Sequence, residues 1–277
     1  MTGFRIARES GGAPEVPATV AYPTAGDSIP SAGFAIDSGG YRIRFARSAT
    51  DLDQVLALRY RIFNLELGEG LDESHRTGRD EDELDARMHH LMILAGEEVV
   101  GTYRMQTAEM AAQGGGFYAA AEFQLDSLPA EVIGEAVEIG RACVAKEHRS
   151  GRVLNLLWRG LAEYLTWNRK HYLFGCCSLT SQDPALAEVV HDHLEATGRL
   201  HQTLAVQPHP HCRCHPPSSS TLPRPSAHIP ALFQSYLGLG AKVLGAPAID
   251  RQFKTIDWLV ILDVREIDPA IARRFFR

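Results

Sequence analysis

From Tyr41 onward, period-two and period-3.6 apolar patterns alternate along the chain and predict a mixed α/β domain. Tyr41-Arg42-Ile43-Arg44-Phe45 alternates apolar and basic residues, as a half-buried strand does. Thr50, with Asp53 three residues on, predicts an N-cap and a helix to about Leu67, with Leu52, Val55, Leu56 and Phe63 facing inward. Residues 91–95 and 99–106 flank Gly96-Glu97-Glu98 and read as a hairpin. Residues 137–144 form a continuous apolar strand. Ser150 and Gly151 then open a helix to about Lys170, with Val153, Leu154, Leu157, Leu161 and Leu165 at helical spacing. Residues 172–179 return as a strand, so the unit is a right-handed crossover with parallel strands, and the sheet is mixed. A polar helix at 184–196, a Pro-rich loop at about 206–228 and a helix at about 230–243 follow, before an antiparallel pair at 248–253 and 255–264. Residues 1–40, rich in Gly, Pro, Ala and Ser, read as a flexible leader, and 41–277 as one domain.

A few charged residues interrupt this pattern where water is not expected. Glu138 and Arg141 lie inside the strand at 137–144, where an unpaired ion costs several kcal/mol and so needs partners. Asp82, Asp85 and Arg104 are the upstream candidates. Strict pleating puts Glu138 and Arg141 on opposite faces. Gly140 between them predicts a bulge that turns both toward one cleft; a purely structural ion pair is the alternative. Arg59 falls between Val55 and Phe63 at i, i+4 and i+8, within the apolar stripe. Either its stem packs while its head reaches the edge, or its guanidinium is held for a carboxylate or phosphate.

Lys146, Arg149, Arg152, Arg159, Arg169 and Lys170 face only Glu147 and Glu163 in the same span. This patch suits an acidic partner or a phosphate at the helix start, unless it is simply a solvated face. His209, His211, Cys212, Cys214 and His215 match no standard metal-site spacing, and no metal is expected. Cys143, inside a strand, reads as a small buried hydrophobe.

With 277 residues, 45% hydrophobic, the chain can bury one large core or two small ones without covalent staples. A net charge of -6 argues against nucleic-acid binding. The longest apolar runs fall far short of a bilayer span, no secretory signal is visible, and five cysteines fit a reducing compartment. The expected location is cytoplasmic, with a peripheral, transient contact at the inner membrane.

Several blocks, in this order, resemble the acyl-carrier-protein-dependent N-acyltransferases of the GNAT superfamily, the ornithine-lipid and N-acyl amino acid synthases, with acyl-homoserine-lactone synthases as distant kin. They are Leu58-Arg59-Tyr60-Arg61-Ile62-Phe63, Gly116-Phe117-Tyr118 with Glu122-Phe123-Gln124-Leu125, Glu138-Ile139-Gly140-Arg141-Ala142-Cys143-Val144, and Tyr172-Leu173-Phe174-Gly175-Cys176. Tyr236-Leu237-Gly238-Leu239-Gly240-Ala241 and Ile249-Asp250 complete the set. The resemblance implies a twisted mixed sheet with helices on both faces and central strands that splay to admit a pantetheine arm. It implies catalytic roles for Glu138, Arg141, Arg104, Asp82 and Asp85, and contacts to substrate or acyl-ACP from Arg59, Phe63, Arg149 and Arg152. An aromatic residue that the lactone synthases carry is unmatched, since Glu69 and Gly70 stand there.

The expected reaction is transfer of a fatty acyl group from acyl-ACP, a phosphopantetheine thioester, to the amino group of ornithine or another small amino acid. Glu138 is the expected base; no permanently bound cofactor is expected. Only one glycine of a CoA pyrophosphate loop remains, in Arg149-Ser150-Gly151-Arg152-Val153, which favours a carrier protein over CoA. An acetyl-CoA-dependent acetyltransferase and a non-enzymatic, haemolysin-type lipid-surface protein are the alternatives. Asp82, Asp85, Asp250 and Asp257 all qualify as partners for an ornithine side chain.

Overall fold

The computed structural model describes residue 22, residues 26–214 and residues 228–276. Among them, nine strands build one sheet: β1 (Ile36–Ser38), β2 (Tyr41–Phe45), β3 (His89–Ala95), β4 (Glu98–Thr107), β5 (Ala136–Val144), β6 (Tyr172–Leu179), β7 (Lys242–Val243), β8 (Ala248–Asp250) and β9 (Thr255–Asp263). The order is β1-β2-β3-β4-β5-β6-β9-β7, with β8 also on β9. Every pairing is antiparallel except β5 with β6, the two strands joined by the long crossover helix Arg152–Asn168. The hairpin β3–β4 and the closing antiparallel strands stand where the apolar pattern predicts them.

Pleating sorts the helices onto the two faces. Gly160 of the long helix lies so close to Ile43 and Leu91 that an added Cβ would come within 2.8 Å of both side chains. One residue along, His90 turns the other way with its cross-strand partner Arg104, toward the first helix, Ala49–Tyr60.

Several boundaries differ from expectation. The first helix is capped by Ser48, whose Oγ accepts from the Asp51 amide at 3.1 Å, rather than by Thr50. After Tyr60 it widens into a π-type helix, Arg61–Leu67, ended by Gly68 at φ 69°. The helix expected at 230–243 is only Ala231–Gly238, because Gly240 takes φ 101° and the next residues pair as β7. The expected leader is partly folded: β1 adds to the sheet edge, Ile29 is buried, and Trp167 Nε1 and Asn168 Nδ2 donate to the carbonyls of Asp27 and Ser28. Residues 1–21 and 23–25 of that leader lie outside the described residues.

Two features position the site. First, β5 and β6 pair only from Ala136↔Tyr172 to Glu138↔Phe174 and then part. Gly175 sits at the fork, where a Cβ would meet the Ile139 carbonyl oxygen at 2.0 Å. Second, a buried ion network ties the first helix to the sheet. Arg59, fully buried, gives Nε and Nη2 to Asp80 Oδ1 (2.7 and 2.5 Å) and Nη1 to Asp85 Oδ1 (2.6 Å). Arg104 gives Nη1 to Asp85 Oδ1 (3.0 Å) and Asp82 Oδ1 (2.6 Å). Burial works against the charge of Asp85, but Arg59 and Arg104 outweigh it and hold this carboxyl well below the ordinary range. Burial beside the same guanidiniums pushes His90 down to about 3, so its imidazole is neutral.

Asp85→Asn leaves two guanidiniums short of an anion and is expected to cost about 3–5 kcal/mol in urea denaturation at pH 7. Because its folded-state pKa is depressed, Asp85 contributes fully above the ordinary carboxylate range and loses that contribution as pH falls below it. The gap between wild type and variant therefore narrows in acid, and a pH-independent gap would contradict the assignment. Gly175→Ala is expected to cost about 1–3 kcal/mol by overpacking. Gly134→Ala, whose Cβ meets nothing within 4 Å, serves as the near-neutral control.

Candidate active site

Where β5 leaves β6, a cavity of about 590 Å³ opens between them. Its polar end is lined by Arg104, Tyr118, Glu138 and Arg141; its apolar arm runs past Leu154, Leu157, Leu173, Phe233, Tyr236 and Leu262. Beyond residue 138 the β6 side of β5 has no strand partner, so residues 139–144 face this space with their backbone.

The bulge anticipated at Gly140 falls one residue later. Thr102 pairs with Cys143 but Arg104 with Gly140, so Arg141 and Ala142 together oppose Tyr103. Arg141 takes φ 46°, a left-handed conformation costly for a residue with a Cβ. The extra residue undoes the odd spacing, and Glu138 and Arg141 both reach the cavity.

Arg141 does reach Asp82, one of its anticipated partners, but Glu138 does not meet Arg104. Neither arginine holds the Glu138 carboxylate. It accepts from the Tyr118 amide (2.9 Å), the Ala119 amide (2.7 Å) and Gln106 Nε2 (2.7 Å), its cross-strand neighbour. Burial still raises its pKa against these three donors. The Arg141 guanidinium lies 4.0 Å from the Phe253 ring centroid and 4.8 Å from that of Tyr118. Its contacts to Asp80 and Asp82 are both long, at 3.4 Å, and its Nε is left without a hydrogen bond.

Of the residues singled out in the sequence, Phe63, Arg104, Glu138, Arg141, Cys143, Arg149 and Asp257 line the cavity. Phe63 packs edge-on against Phe253, with centroids 5.3 Å apart. Arg59, Asp82 and Asp85 are not among the lining residues. Arg59 is spent on Asp80 and Asp85, so its contact is a carboxylate inside the fold. Arg149 pairs with Glu66 at the rim (2.5 Å), beside His148 and Gly151, where the long helix begins. Arg152 is exposed there and approaches the Gly39 carbonyl at 3.5 Å. Lys170 is drawn to Glu109 and the Gly134 carbonyl, away from this rim.

Sequence reasoning passed over four residues. Asp80, beside the recognised pair, is the main partner of Arg59. Glu69 lines the cavity, and burial pushes it up to about 7 against a 2.7 Å hydrogen bond from Thr180. Tyr118 and Glu122 were noted only within a block; Tyr118 joins the two ends of the site, donating its amide to Glu138 and its hydroxyl to Asp250 Oδ2 (3.2 Å). The His/Cys loop braces this segment. His209 Nε2 meets the Ala120 carbonyl, the His209 amide donates to the Glu122 carbonyl, and Phe123 bridges to Pro208. His215 lies outside the described residues.

Residues 58–159 match the family model described as an acetyltransferase (GNAT) domain. An L-ornithine N(alpha)-acyltransferase of Rhizobium meliloti (strain 1021) is 33% identical over 237 residues, 81% of this chain and 80% of that protein. One from Rhodobacter capsulatus is 32% identical over 240 residues, covering 81% of this chain and 90% of its own. Among solved structures, a CoA-dependent acyl-homoserine lactone synthase aligns over 81% of this chain and 80% of its own with a TM-score of 0.47 and 16% identity. An N-acyl amino acid synthase from uncultured soil microbes aligns over 82% and 92% with 0.45 and 15%. At one-third identity across four-fifths of both chains, this chain belongs to the L-ornithine N(alpha)-acyltransferase family, with a GNAT domain at its centre.

Proposed function

We propose that the chain transfers a fatty acyl group from the phosphopantetheine thioester of an acyl carrier protein to the α-amino group of ornithine or a closely similar amino acid. The observation that carries this reading is the fork between β5 and β6, a slot whose one end is ionic and whose other arm is apolar. The apolar arm suits a long acyl chain better than an acetyl group, and the relatives are named for acylating ornithine.

The amine must lose a proton before it attacks, and Glu138 is the group placed to take it. A carboxylate offers roughly four lone-pair sites, and three are occupied, which fixes the side chain and leaves one for the incoming ammonium. Arg141, underused by Asp80 and Asp82, takes the acceptor's carboxylate. Attack forms the N–C bond; the unpaired amides of residues 139–144 stabilise the tetrahedral oxyanion. Collapse breaks the C–S bond as the proton held by Glu138 passes to the departing pantetheine sulfur, and the emptied Glu138 carboxylate takes the second proton from the acylated nitrogen and releases it to water. Arg104 holds Asp82 and Asp85 and thereby fixes the polar wall.

The carrier docks at the rim, where His148, Arg149 and Gly151 border the cavity and Arg152 is exposed. Leu65, 61% exposed, and Leu67 sit on the neighbouring π-type helix and suit a transient contact with the membrane surface that receives the product. No described helix is long and apolar enough to cross a membrane.

Purified protein supplied with acyl-ACP and L-ornithine is expected to give N-acylornithine, read by mass spectrometry; no amide product with carrier-bound acyl groups would defeat the reading. Glu138→Gln is expected to lower kcat by about 10²-fold or more. The defect narrows as rising pH deprotonates the amine without help, and turnover within threefold of wild type would remove the base assignment. Arg152→Glu is expected to raise KM for acyl-ACP about tenfold at low salt, a difference that fades as salt screens the rim. An unchanged KM would make this arginine ordinary surface.

A further inference from the structure

Beyond Tyr118, on the side away from Glu138, the cavity ends against carboxyl groups that no cation neutralises. Asp257 of β9 lines the cavity and is 3% exposed, and its Oδ1 has no hydrogen bond. Behind it Glu122, 5% exposed, receives no donor on either oxygen apart from a proton shared with Asp257. Ligand atoms of these two and the Cys176 thiol all lie within 4.8 Å of one another. Asp250 adds a third carboxylate, its Oδ1 tied to the amides of Gln252 and Phe253 and its Oδ2 accepting from Tyr118. Their other neighbours include Ser178 across the strand pair, Thr255, whose Oγ1 lies 3.3 Å from Asp257 Oδ2, the cavity-lining Glu69 and Cys177, which feel the charge of Asp257, and Arg141 and Glu138 beyond the Tyr118 ring. Arg141 is the cation whose charge reaches Glu122, but burial and the neighbouring carboxyls outweigh it, and its guanidinium lies against Phe253 and reaches toward Asp80 and Asp82.

Two buried carboxyls this close cannot both ionise without a cation. Burial acts in the same direction, pushing Asp257 up to about 6 and Glu122 well above the ordinary carboxylate range, so the proton that their proximity retains is held between them. An alkylammonium entering from the cavity supplies the missing charge and displaces that proton. Cys176 is a poor ligand for a metal competitor, because burial and the adjacent carboxyls keep its thiol protonated.

We propose that Asp257 and Glu122, backed by Asp250, form the subsite that takes the distal ammonium of a diamino-acid acceptor. The inference rests on reading the cavity as the acyl-transfer site and adds how the acceptor is chosen. Tyr118 sets the spacing. Its amide marks Glu138, where the reacting amine is deprotonated, and its hydroxyl marks Asp250, so an acceptor lying along the ring presents one nitrogen to each end. A neutral side chain of the same length leaves the carboxyls unpaired, and buried unpaired groups discriminate strongly.

Isothermal titration of the full chain with L-ornithine and with its uncharged isostere L-norleucine, in buffers of different ionisation enthalpy near pH 7, tests the subsite without requiring turnover. The expected result is at least 30-fold tighter binding of ornithine, with a proton release that norleucine does not cause. Asp257→Asn and, separately, Glu122→Gln are expected to reduce both the preference and the proton release at least tenfold while circular dichroism stays unchanged. Equal binding of the two ligands by wild type would overturn the proposal. So would an unaltered preference in both folded variants, or stoichiometric zinc that copurifies with wild type and is lost from Asp257→Asn. Ornithine binding with proton release, but no acylation from acyl-ACP, would uphold the subsite while defeating the acyl-transfer reading.

Discussion

One carboxylate with two arginines, Asp85 between Arg59 and Arg104, is the interaction on which the polar half of this protein depends. It joins three stretches distant in sequence: the first helix, the acidic segment before β3, and β4. None of the three ions would be tolerable alone at its depth, for each is at most 1% exposed. Together they make a rigid ionic floor, and the looser contacts from Arg141 to Asp80 and Asp82 sit on top of it. The floor thus distinguishes two kinds of arginine. Arg59 gives three of its nitrogens to Asp80 and Asp85 and holds the architecture, while Arg104, which gives only its Nη1, and Arg141 each keep an unbonded Nε at the cavity wall.

The second constraint is the fork between β5 and β6. A parallel pair that separates leaves backbone groups without partners, a cost a sheet avoids unless something else fills the gap. Here Gly175 allows the strands to touch at the fork and diverge beyond it, and the Arg141–Ala142 bulge bends β5 away at almost the same level. Both irregularities point the same way, toward a slot in which an extended substrate replaces the missing strand. The left-handed Arg141 backbone belongs to the same device, since the strain is what turns its guanidinium to the side of Glu138.

Much of this was legible before any coordinates. The apolar strand at 137–144 announced itself by carrying two charges, and the glycine between them signalled a bulge. The crossover followed from strand, helix and strand in order. What could not be read were contacts made by backbone rather than by side-chain type. Glu138 is held by two amides of the Tyr118–Ala121 turn, and amides carry no sequence signature. Asp80 was overlooked because one register position in an acidic run looks like the next until the chain is folded. Strand β1 hid in a Gly- and Ser-rich stretch because an edge strand of three residues needs little apolar surface. Glu122 and Asp257 lie 135 positions apart in the sequence, and only the approach of the braced Tyr118–Ala121 turn to β9 makes them a pair.

The site has a gradient of charge that follows from these separate constraints. At one end the ionic floor supplies cationic surface through Arg104 and Arg141; at the other, Asp257 and Glu122 supply anionic capacity with no protein cation to satisfy it. Between them stands Tyr118, fixed at its amide by Glu138 and at its hydroxyl by Asp250. A wall that runs from guanidinium through carboxylate to uncompensated carboxyls complements a molecule that runs from carboxylate through one amine to another. Burial therefore serves opposite ends in one cavity. Where charges are matched it makes the floor rigid, and where they are not it stores an electrostatic deficit that only the right ligand removes.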